Sequence, residues 1–250
     1  MESDKILAVR NAKTIYRSKD TVVKLFNDDY SKADILNEAL NQARVEETGL
    51  NVPSLLEVAK IDGKWALISQ YIPGKTLARL MEENPQRWDE YLDLFISLQL
   101  QVLGKKAPLL NKLRDKMNRK ISEADLDATI KYDLHTRLEG MRRGTKVCHG
   151  DFNPSNIIIR EGDGVPFIID WSHATQGNGA ADAARTYLLF CLDGQTDKAE
   201  EYLQRFCKAD EISPKYVQQW LPIVAASQSV KARPGERELL MKWVNVVDYE

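Results

Sequence analysis

The sequence is poor in cysteine and carries no excess of positive charge. Its three cysteines (Cys148, Cys191 and Cys207) are odd in number, widely spaced and outside any CxxC pair. This pattern argues against a disulfide framework or a zinc site and is typical of a reducing compartment. Lys and Arg number 35 against 37 Asp and Glu. A general nucleic-acid binder needs surplus basic residues to displace counterions from phosphates, so we expect no nucleic-acid partner.

Long apolar runs are also missing. The run at 187–192, YLLFCL, is far shorter than the roughly 20 residues that a membrane-spanning helix needs. The opening MESDKILAVR lacks the basic-then-apolar pattern of a secretion signal. We therefore expect a cytoplasmic protein without a membrane partner.

The patterns that are present change along the chain. The first third holds short β-branched and aromatic runs, interrupted by a helical pattern that begins near Ser31, with Asp34 in a predicted capping box, and ends near Gly49. The segment SLLEVAKIDGKWALISQYI predicts a hairpin that turns at Asp62-Gly63. Helical periodicity dominates residues 76–143 and resumes from about residue 180.

These patterns predict an α+β protein of two lobes. We expect a small β-rich lobe over residues 1–72, a Pro-Gly link over 73–75, and a larger helical lobe over 76–250 that carries one hairpin. A chain of 250 residues is long enough to bury such a core. A cleft between two lobes is a common place for a small-molecule site.

The hairpin lies within KVCHGDFNPSNIIIREGDGVPFIIDWSHA, residues 146–174. If its strands pair symmetrically about Asp163, position i faces position 326 − i and Asn156 faces Asp170. Directly opposed residues in an antiparallel pair have Cβ atoms roughly 5 Å apart. An amide oxygen and a carboxylate at that spacing could share a hard cation, and Mg²⁺ commonly binds one or two carboxylates together with substrate phosphates.

Asp151 supplies a second carboxylate five residues before Asn156. Such a group beside a metal-bound phosphate can orient a substrate hydroxyl and accept its proton. The spacing His149-x-Asp151-x₄-Asn156 is also that of the kinase catalytic loop H-R-D-x₄-N, and Asp170 lies where the metal-binding Asp of D-F-G would stand.

The runs HGDFNPSNIII and IIDW together resemble the aminoglycoside phosphotransferase and choline kinase superfamily, small-molecule kinases with a protein-kinase-like fold. The resemblance extends from VVKLF to the helical C-terminus. It implies a bilobal fold with a nucleotide-binding N-terminal lobe and a catalytic, substrate-binding C-terminal lobe. It also implies that Asp151 is the catalytic base and that Asn156 and Asp170 are Mg²⁺ ligands. By the same resemblance His149 braces the loop, and Asp182 anchors it from the following helix.

The resemblance also implies a lysine on a strand of the small lobe and a glutamate on the helix that follows. Lys24 in TVVKLF and Glu38 in ILNEAL fit these two positions. Lys24 would hold the phosphates of the nucleotide, and Glu38 would orient the Lys24 side chain. Glu46 and Glu47 are rival partners, but they lie near the helix C-terminus, where the macrodipole disfavours a carboxylate. The segment Gln70, Tyr71 and Ile72 would offer backbone hydrogen bonds to a purine.

Some features depart from protein kinases. Residues 1–23 contain no glycine, so the phosphates must be held by another turn, which we place near Arg10–Thr14, or only weakly. Trp171-Ser172 replace the Phe-Gly of D-F-G and no A-P-E motif is present, which makes a protein substrate less favoured. The GKT at 74–76 is not a P-loop, because Ser69 stands where the first glycine is required.

The predicted function is Mg²⁺-dependent transfer of a phosphoryl group from ATP, or GTP, to a hydroxyl of a small molecule. Two alternatives stay open: a catalytically silent nucleotide-binding module on the same fold, and a metal-dependent phosphate-ester hydrolase. The acceptor is open among choline, a sugar, an amino acid and an antibiotic. Residues 195–250 hold nine Asp and Glu against eight Lys and Arg, a balance that favours neither a cationic nor an anionic acceptor unless folding clusters one sign. The sequence specifies no oligomeric state.

Overall fold

A computed structural model describes the protein over residues 5–10, 13–233 and 235–245. The chain packs into two compact units. The first comprises residues 1–85 and 154–173, and the second comprises residues 86–153 and 174–250. The hairpin that the sequence placed in the helical lobe therefore packs in the same unit as the N-terminal strands.

A five-stranded antiparallel sheet forms the N-terminal part of the first unit, in the order β1-β2-β3-β5-β4. Its strands are β1 (Lys5–Arg10), β2 (Lys13–Ser18), β3 (Thr21–Phe26), β4 (Leu55–Ile61) and β5 (Lys64–Gln70). Asp62 and Gly63, between β4 and β5, have φ angles of 48° and 82°. Positive φ at both central residues is what a two-residue hairpin turn demands, so the predicted turn is confirmed.

Helix α1 (Lys32–Glu46) packs against β4 and β5 of this sheet. The contact buries a small apolar cluster of Phe26, Ile35, Ala39 and Leu67. Ser31 is the N-cap residue, but its side chain makes no capping hydrogen bond. The predicted capping box is therefore wrong, since the acid at the third position is an Asp, one methylene shorter than the Glu or Gln that reaches back in that motif.

A second sheet in the first unit has the strand order β6-β8-β9. Helix α2 (Leu77–Glu83) follows the first of these strands along the chain. The strands of the sheet are β6 (Gly74–Thr76), β8 (Ile157–Arg160) and β9 (Pro166–Ile168). The residues predicted as a link, 73–75, thus include the start of a strand. At Gly74 a Cβ atom would overlap the carbonyl oxygen of Ile159, so this close approach of two strands requires glycine.

The register of the hairpin formed by β8 and β9 differs by one residue from the prediction. Ile157 pairs with Ile168, so position i faces position 325 − i. Asn156 consequently lies opposite Ile169, whose amide donates to the Asn156 carbonyl at 2.9 Å. The prediction that Asn156 faces Asp170 is wrong by this one step.

The turn explains the shift. The amide of Arg160 donates to the carbonyl of Val165 at 2.9 Å, which leaves the four residues 161–164 as the loop. A four-residue loop is symmetric about the bond between its two central residues, whereas the prediction centred it on Asp163. Loop length fixes hairpin register, and a loop one residue longer or shorter moves every pair.

The second unit is mainly helical over the residues that the structure describes. Its helices are α3 (Trp88–Leu103), α4 (Leu113–Glu123), α5 (Ala128–Gly140), α6 (Gly179–Leu192), α7 (Thr196–Ala209), α8 (Pro214–Gln218), α9 (Leu221–Ser229) and α10 (Arg237–Val244). A short antiparallel pair, β7 (Lys146–Cys148) and β10 (Thr175–Gly177), completes it.

The predicted α+β class, with an N-terminal sheet and a helical C-terminal part, is confirmed. Across the described ranges, none of the helices has both the length and the apolar character needed to cross a membrane.

Candidate active site

Lys24 lies in the middle of β3 and is the centre of an ion cluster in the first unit. Its ammonium forms an ion pair with Glu38 on α1 and a second with Asp170 at 3.4 Å. Only 16% of the Lys24 side chain and 7% of the Glu38 side chain are exposed. The predicted pairing of Lys24 with Glu38 is therefore present. The rival Glu46 instead accepts a hydrogen bond from the amide of Leu55 at 2.7 Å.

The cluster favours the charged forms of Lys24 and Asp170. Burial alone would lower the pKa of Lys24, but the carboxylates of Asp170 and Glu38 outweigh it and raise that pKa above its usual value. Burial would raise the pKa of Asp170, but Lys24 and Lys13 lower it well below the usual range. At neutral pH the protein therefore presents ionised lysine and aspartate side chains at this position.

Asp170 follows strand β9 in a left-handed backbone conformation, with φ at 62°. Non-glycine residues adopt this conformation rarely, although Asp does so more readily than most, and such residues cluster at functional sites. The Asp170 carboxylate accepts a hydrogen bond from the hydroxyl of Ser172 at 2.9 Å and lies 3.9 Å from the ammonium of Lys13.

Lys13 is a site residue that the sequence interpretation missed. Strand β2 pairs Ile15 with Lys24, and Lys13 stands two residues from Ile15, so Lys13 and Lys24 project from the same face of the sheet. The two-residue turn at Lys19-Asp20 determines this register. Assigning that turn would have placed both lysines together.

Asn156 closes a 3-10 turn, Pro154–Asn156, immediately before β8. The Asn156 carbonyl accepts a hydrogen bond from the amide of Ile169, and Asp170 directly follows Ile169. Asn156 and Asp170 therefore lie at the same end of the hairpin. An ionised carboxylate and an amide oxygen are hard donors of the kind that Mg²⁺ binds. Within the described ranges no group of three or more His, Cys, Asp or Glu side chains could hold a metal ion. Mg²⁺ commonly takes one or two such donors together with phosphate oxygens of a substrate.

The purine segment predicted at Gln70, Tyr71 and Ile72 leaves the end of β5. The amides of Gln70 and Tyr71 donate to the carbonyls of Ser54 and Asp20, each at 2.9 Å. Hydrogen bonds from this segment to a purine would therefore have to come from its other backbone amide and carbonyl groups. Of the turn predicted to hold phosphates, near Arg10–Thr14, residues 11 and 12 lie outside the described residues.

Asp151 belongs to the second unit, on the loop that follows β7. Gly150 has φ at 79°, and His149, fully buried, accepts a hydrogen bond through Nδ1 from the amide of Asp151 at 3.2 Å. Phe152 is also fully buried and packs on Phe95 with ring centroids 4.8 Å apart. The residues on both sides of Asp151 are thus fixed in the core, while 28% of the Asp151 side chain remains exposed.

Asp182 on α6 anchors this loop, as predicted. One of its carboxylate oxygens accepts from the amide of Gly150 at 2.6 Å, and the other accepts from the side-chain amide of Gln99 at 3.3 Å. Thr186, one turn further along α6, donates to the carbonyl of Phe152 at 2.8 Å. Burial raises the pKa of Asp182, although His149 and the Gly150 amide favour its ionised form. The hydrogen bonds make the network a rigid support for the loop.

Arg185, also on α6, is a second site residue that the sequence interpretation missed. One of its terminal nitrogens, Nη2, lies 3.5 Å from Oδ1 of Asp151. Burial lowers the pKa of Arg185, with Asp151 and Glu236 opposing that effect. The signal was present in the sequence: Asp182 and Arg185 are three residues apart and project from neighbouring positions of one helix.

Cys148 is buried and free, and burial raises the pKa of its thiol well above the usual value. A buried, protonated thiol of this kind packs as a small apolar side chain.

A strand lysine paired with a helical glutamate, and an aspartate on a fixed loop, define a phosphotransferase of the small-molecule kinase class. The chain belongs to the APH family, described as the phosphotransferase enzyme family, whose model matches residues 8–218. A search of curated protein sequences gave no significant match.

Three solved structures illustrate the shared fold. Aminoglycoside phosphotransferase APH(4)-Ia is similar with a TM-score of 0.68 and 15% identity, over 97% of this chain and 90% of that one. A choline/ethanolamine kinase family protein from Mesorhizobium loti has a TM-score of 0.63 and 16% identity, over 100% and 83%. Choline kinase LicA from Streptococcus pneumoniae has a TM-score of 0.60 and 15% identity, over 99% and 88%. The protein-kinase-like fold predicted from the sequence is thereby confirmed.

Proposed function

We propose that the protein transfers the γ-phosphoryl group of ATP to a hydroxyl of a small molecule, with Mg²⁺ as cofactor and Asp151 as base. The observation that carries the proposal is the ion cluster of Lys24, Glu38 and Asp170 in a member of this family. The cluster is centred on the buried ion pair between Lys24 and Glu38. One similar structure, a thermostable APH(4)-Ia mutant, is a complex with AMP-PNP and hygromycin B, which supports a nucleotide donor and a small acceptor.

Lys24 and Lys13 would bind the phosphates of the nucleotide. Both ammonium groups lie within 4 Å of Asp170. When Asp170 engages a cation, the two lysines are left to pair with anionic oxygens, and Glu38 keeps Lys24 in place. Two lysines on one face of the sheet would attract the phosphates with their positive charge. In other nucleotide-binding proteins the backbone amides of a glycine-rich loop do this.

Asn156 and Asp170 would hold the Mg²⁺ ion. A bound Mg²⁺ supplies neutralisation of the triphosphate charge as the phosphoryl group leaves. The strongly acidic Asp170 keeps its negative charge at any pH at which the protein would work, so it would not compete with protons for this role.

Asp151 would orient the acceptor hydroxyl and accept its proton. Phosphoryl transfer depends mainly on positioning and on charge stabilisation. The hydrogen bonds that His149 and Asp182 accept from loop amides, and the one that Thr186 donates to the Phe152 carbonyl, meet the positioning requirement, because they fix the backbone on both sides of the partly exposed carboxylate.

The experiment is ADP formation with ATP and with GTP, in the presence of Mg²⁺ and a panel of hydroxyl compounds. We expect acceptor-dependent ADP from the wild type and a loss of about 10²- to 10⁴-fold in kcat for Asp151→Asn. Asp163→Asn, in the exposed turn of the hairpin, is the matched control and should keep wild-type turnover. Equal turnover in Asp151→Asn and the wild type would refute the assignment of the base. Acceptor-dependent turnover by the wild type would also exclude the catalytically silent module.

A further inference from the structure

Asn41 is a buried polar residue of α1 that the proposed mechanism does not use. It is 1% exposed and lies three residues after Glu38. Residues three apart on a helix occupy neighbouring positions on its surface, so Asn41 projects from the same side of α1 as the partner of Lys24. Burying an amide side chain costs free energy unless its groups are hydrogen-bonded, so the contacts of Asn41 need an explanation.

The Asn41 side chain binds the turn that follows Asp170. Its Nδ2 atom donates to the carbonyl of Trp171 at 3.5 Å and to that of Ser172 at 3.4 Å. These are the first two residues of the 3-10 turn Trp171–His173, against which α1 packs. The opposite orientation of the amide would turn its oxygen toward two carbonyl oxygens, so these partners assign the NH₂ group to the side of the turn.

This turn sets the position of the Asp170 carboxylate. Asp170 has φ at 62°, a conformation that a non-glycine residue keeps only where the surrounding structure holds it. The hydroxyl of Ser172 donates to Oδ1 of Asp170 at 2.9 Å, and the same oxygen lies 3.4 Å from the ammonium of Lys24. Movement of the Trp171 and Ser172 peptides would therefore move the carboxylate proposed as a Mg²⁺ ligand.

Helix α1 consequently reaches the ion cluster in two places. Glu38 pairs with Lys24. Asn41, about one turn further along the helix, holds the backbone next to Asp170. All of these residues belong to the first unit. A single helix thus fixes the position of the lysine relative to the aspartate.

A role in packing alone does not explain an asparagine at this position. Two other residues already attach α1 to the segment around the start of β4. Nε2 of Gln42 donates to the carbonyl of Pro53 at 2.5 Å, and the Glu46 carboxylate accepts from the amide of Leu55 at 2.7 Å. The Oδ1 atom of Asn41 is buried and has no hydrogen-bond partner among the described residues, a cost that an apolar side chain would avoid. What the asparagine adds is therefore the pair of hydrogen bonds from Nδ2.

We propose that Asn41 is a positioning residue: by holding the carbonyls of Trp171 and Ser172, it keeps the Asp170 carboxylate directed at Lys24 and ready to bind Mg²⁺. The inference rests on the proposed function for the role of Asp170 as a metal ligand. Asn41 acts through the backbone of the turn and not on the nucleotide itself.

The binding test is a calorimetric titration with a non-hydrolysable ATP analogue, once with Mg²⁺ and once with Mg²⁺ removed by EDTA. Asn41→Leu removes the donor and keeps the number of side-chain heavy atoms. We expect its affinity with Mg²⁺ to fall about tenfold, the size expected for a lost hydrogen bond, and its affinity without Mg²⁺ to stay within about twofold of the wild type.

The matched control is Gln42→Leu, which removes a hydrogen bond between the same helix and a different segment. It should keep the wild-type difference between the two conditions. Asn41→Ala, which cannot overfill the site, repeats the measurement with a smaller side chain. An unchanged Mg²⁺ effect in both Asn41 variants would overturn the proposal, as would an equal loss in Gln42→Leu or the absence of any Mg²⁺ effect in the wild type.

Urea unfolding and amide hydrogen exchange separate positioning from packing. Asn41→Leu removes a buried unpaired oxygen together with the hydrogen bonds, so we expect its midpoint of unfolding to stay close to that of the wild type. Amide exchange over residues 170–174 should be about tenfold faster in Asn41→Leu and unchanged in Gln42→Leu, because only the first variant releases the turn. A large loss of stability with unchanged exchange in this segment would show that Asn41 serves packing and would overturn the proposal.

The turnover test measures the Mg²⁺ concentration that gives half-maximal ADP formation. We expect it to rise about tenfold in Asn41→Leu, with kcat at saturating Mg²⁺ within about threefold of the wild type. If no acceptor yields ADP but the Mg²⁺ effect on binding depends on Asn41, the phosphotransferase proposal fails and the positioning role stands. If the wild type forms ADP and Asn41→Leu needs no more Mg²⁺ than the wild type, the reverse holds.

Discussion

The ion cluster around Lys24 in the first unit and the surroundings of Arg185 in the second unit handle buried charge in different ways. Around Lys24, the ion pairs outweigh burial and favour the charged forms of Lys24 and Asp170. Around Arg185, burial is the stronger effect and lowers the pKa of Arg185 and of Lys116. A buried charge is therefore stabilised only where an opposite charge compensates for the loss of water. We propose that the ion cluster around Lys24 is the one that binds Mg²⁺ and the triphosphate.

The largest effect should follow from breaking the ion cluster with Lys24→Met. This change leaves the carboxylates of Glu38 and Asp170 without their main partner, and Glu38 is 7% exposed. Removing one partner of a buried pair typically costs about 3–5 kcal/mol of stability, so we expect a loss near the lower end of that range. Urea unfolding measures it. Lys5→Met, on an exposed position of β1, is the control and should change stability by less than about 0.5 kcal/mol.

Asp170→Ala should mainly affect ligand binding. It removes the carboxylate proposed for Mg²⁺, and we expect the affinity for a non-hydrolysable ATP analogue with Mg²⁺ to fall about a hundredfold, equivalent to about 2.7 kcal/mol. Titration calorimetry with and without Mg²⁺ measures this fall. The difference between the two conditions, present in the wild type, should vanish in the variant. A variant that keeps the Mg²⁺ dependence would remove Asp170 from the metal site.

Asp182→Asn tests the support of the base in the second unit. An Asn side chain can accept from the Gly150 amide or from Gln99 through its oxygen, but its NH₂ group then faces a donor. We expect a loss of about 2 kcal/mol in stability and slower turnover at unchanged nucleotide affinity. Urea unfolding and steady-state kinetics provide the two readings. Asp197→Asn on α7 is the matched control, and an equal effect there would contradict a specific support role.

The smallest expected effect is a pH dependence from Lys116. Its pKa is about 8 in the folded protein and 10.5 for an unperturbed lysine. Between these values the unfolded chain binds more protons than the folded one, so this group makes the folded protein more stable as the pH rises. We expect the stability difference between the wild type and Lys116→Met to shift in favour of the wild type between pH 7.5 and 9.5. A constant difference would contradict the burial of a charged Lys116.

Local patterns in the sequence predicted most of the fold. The turn at Asp62-Gly63 follows from residue types that favour positive φ, and the β-branched and aromatic runs of the first third form strands such as β2 and β3. The hairpin register did not follow, because a run of apolar residues pairs equally well in two registers and only the loop length distinguishes them. The strand at Gly74 depends on a partner more than 80 residues away, which no local pattern reveals.

The candidate site likewise contains residues that the sequence predicted and residues that it did not. Lys24, Glu38 and Asp182 fit positions that the family resemblance implies, and the structure gives them the expected contacts. Lys13 and Arg185 carry no motif, since they reach Asp170 and Asp151 through sheet register and helix packing. The sequence holds only indirect signals for them, the turn that sets the β2–β3 register and the helical spacing from Asp182.

In the proposed mechanism Lys24, Lys13 and Asp170 bind the nucleotide and its metal, and Asp151 acts on the acceptor alone. The most direct measurement is the affinity of Asp151→Asn for a non-hydrolysable ATP analogue with Mg²⁺, by calorimetry, in a preparation whose turnover has been shown to be lost. We predict a dissociation constant within about twofold of the wild type, because Lys24, Lys13 and Asp170 are unchanged. A weakening of about tenfold or more would contradict the division and show that Asp151 holds the nucleotide or its metal.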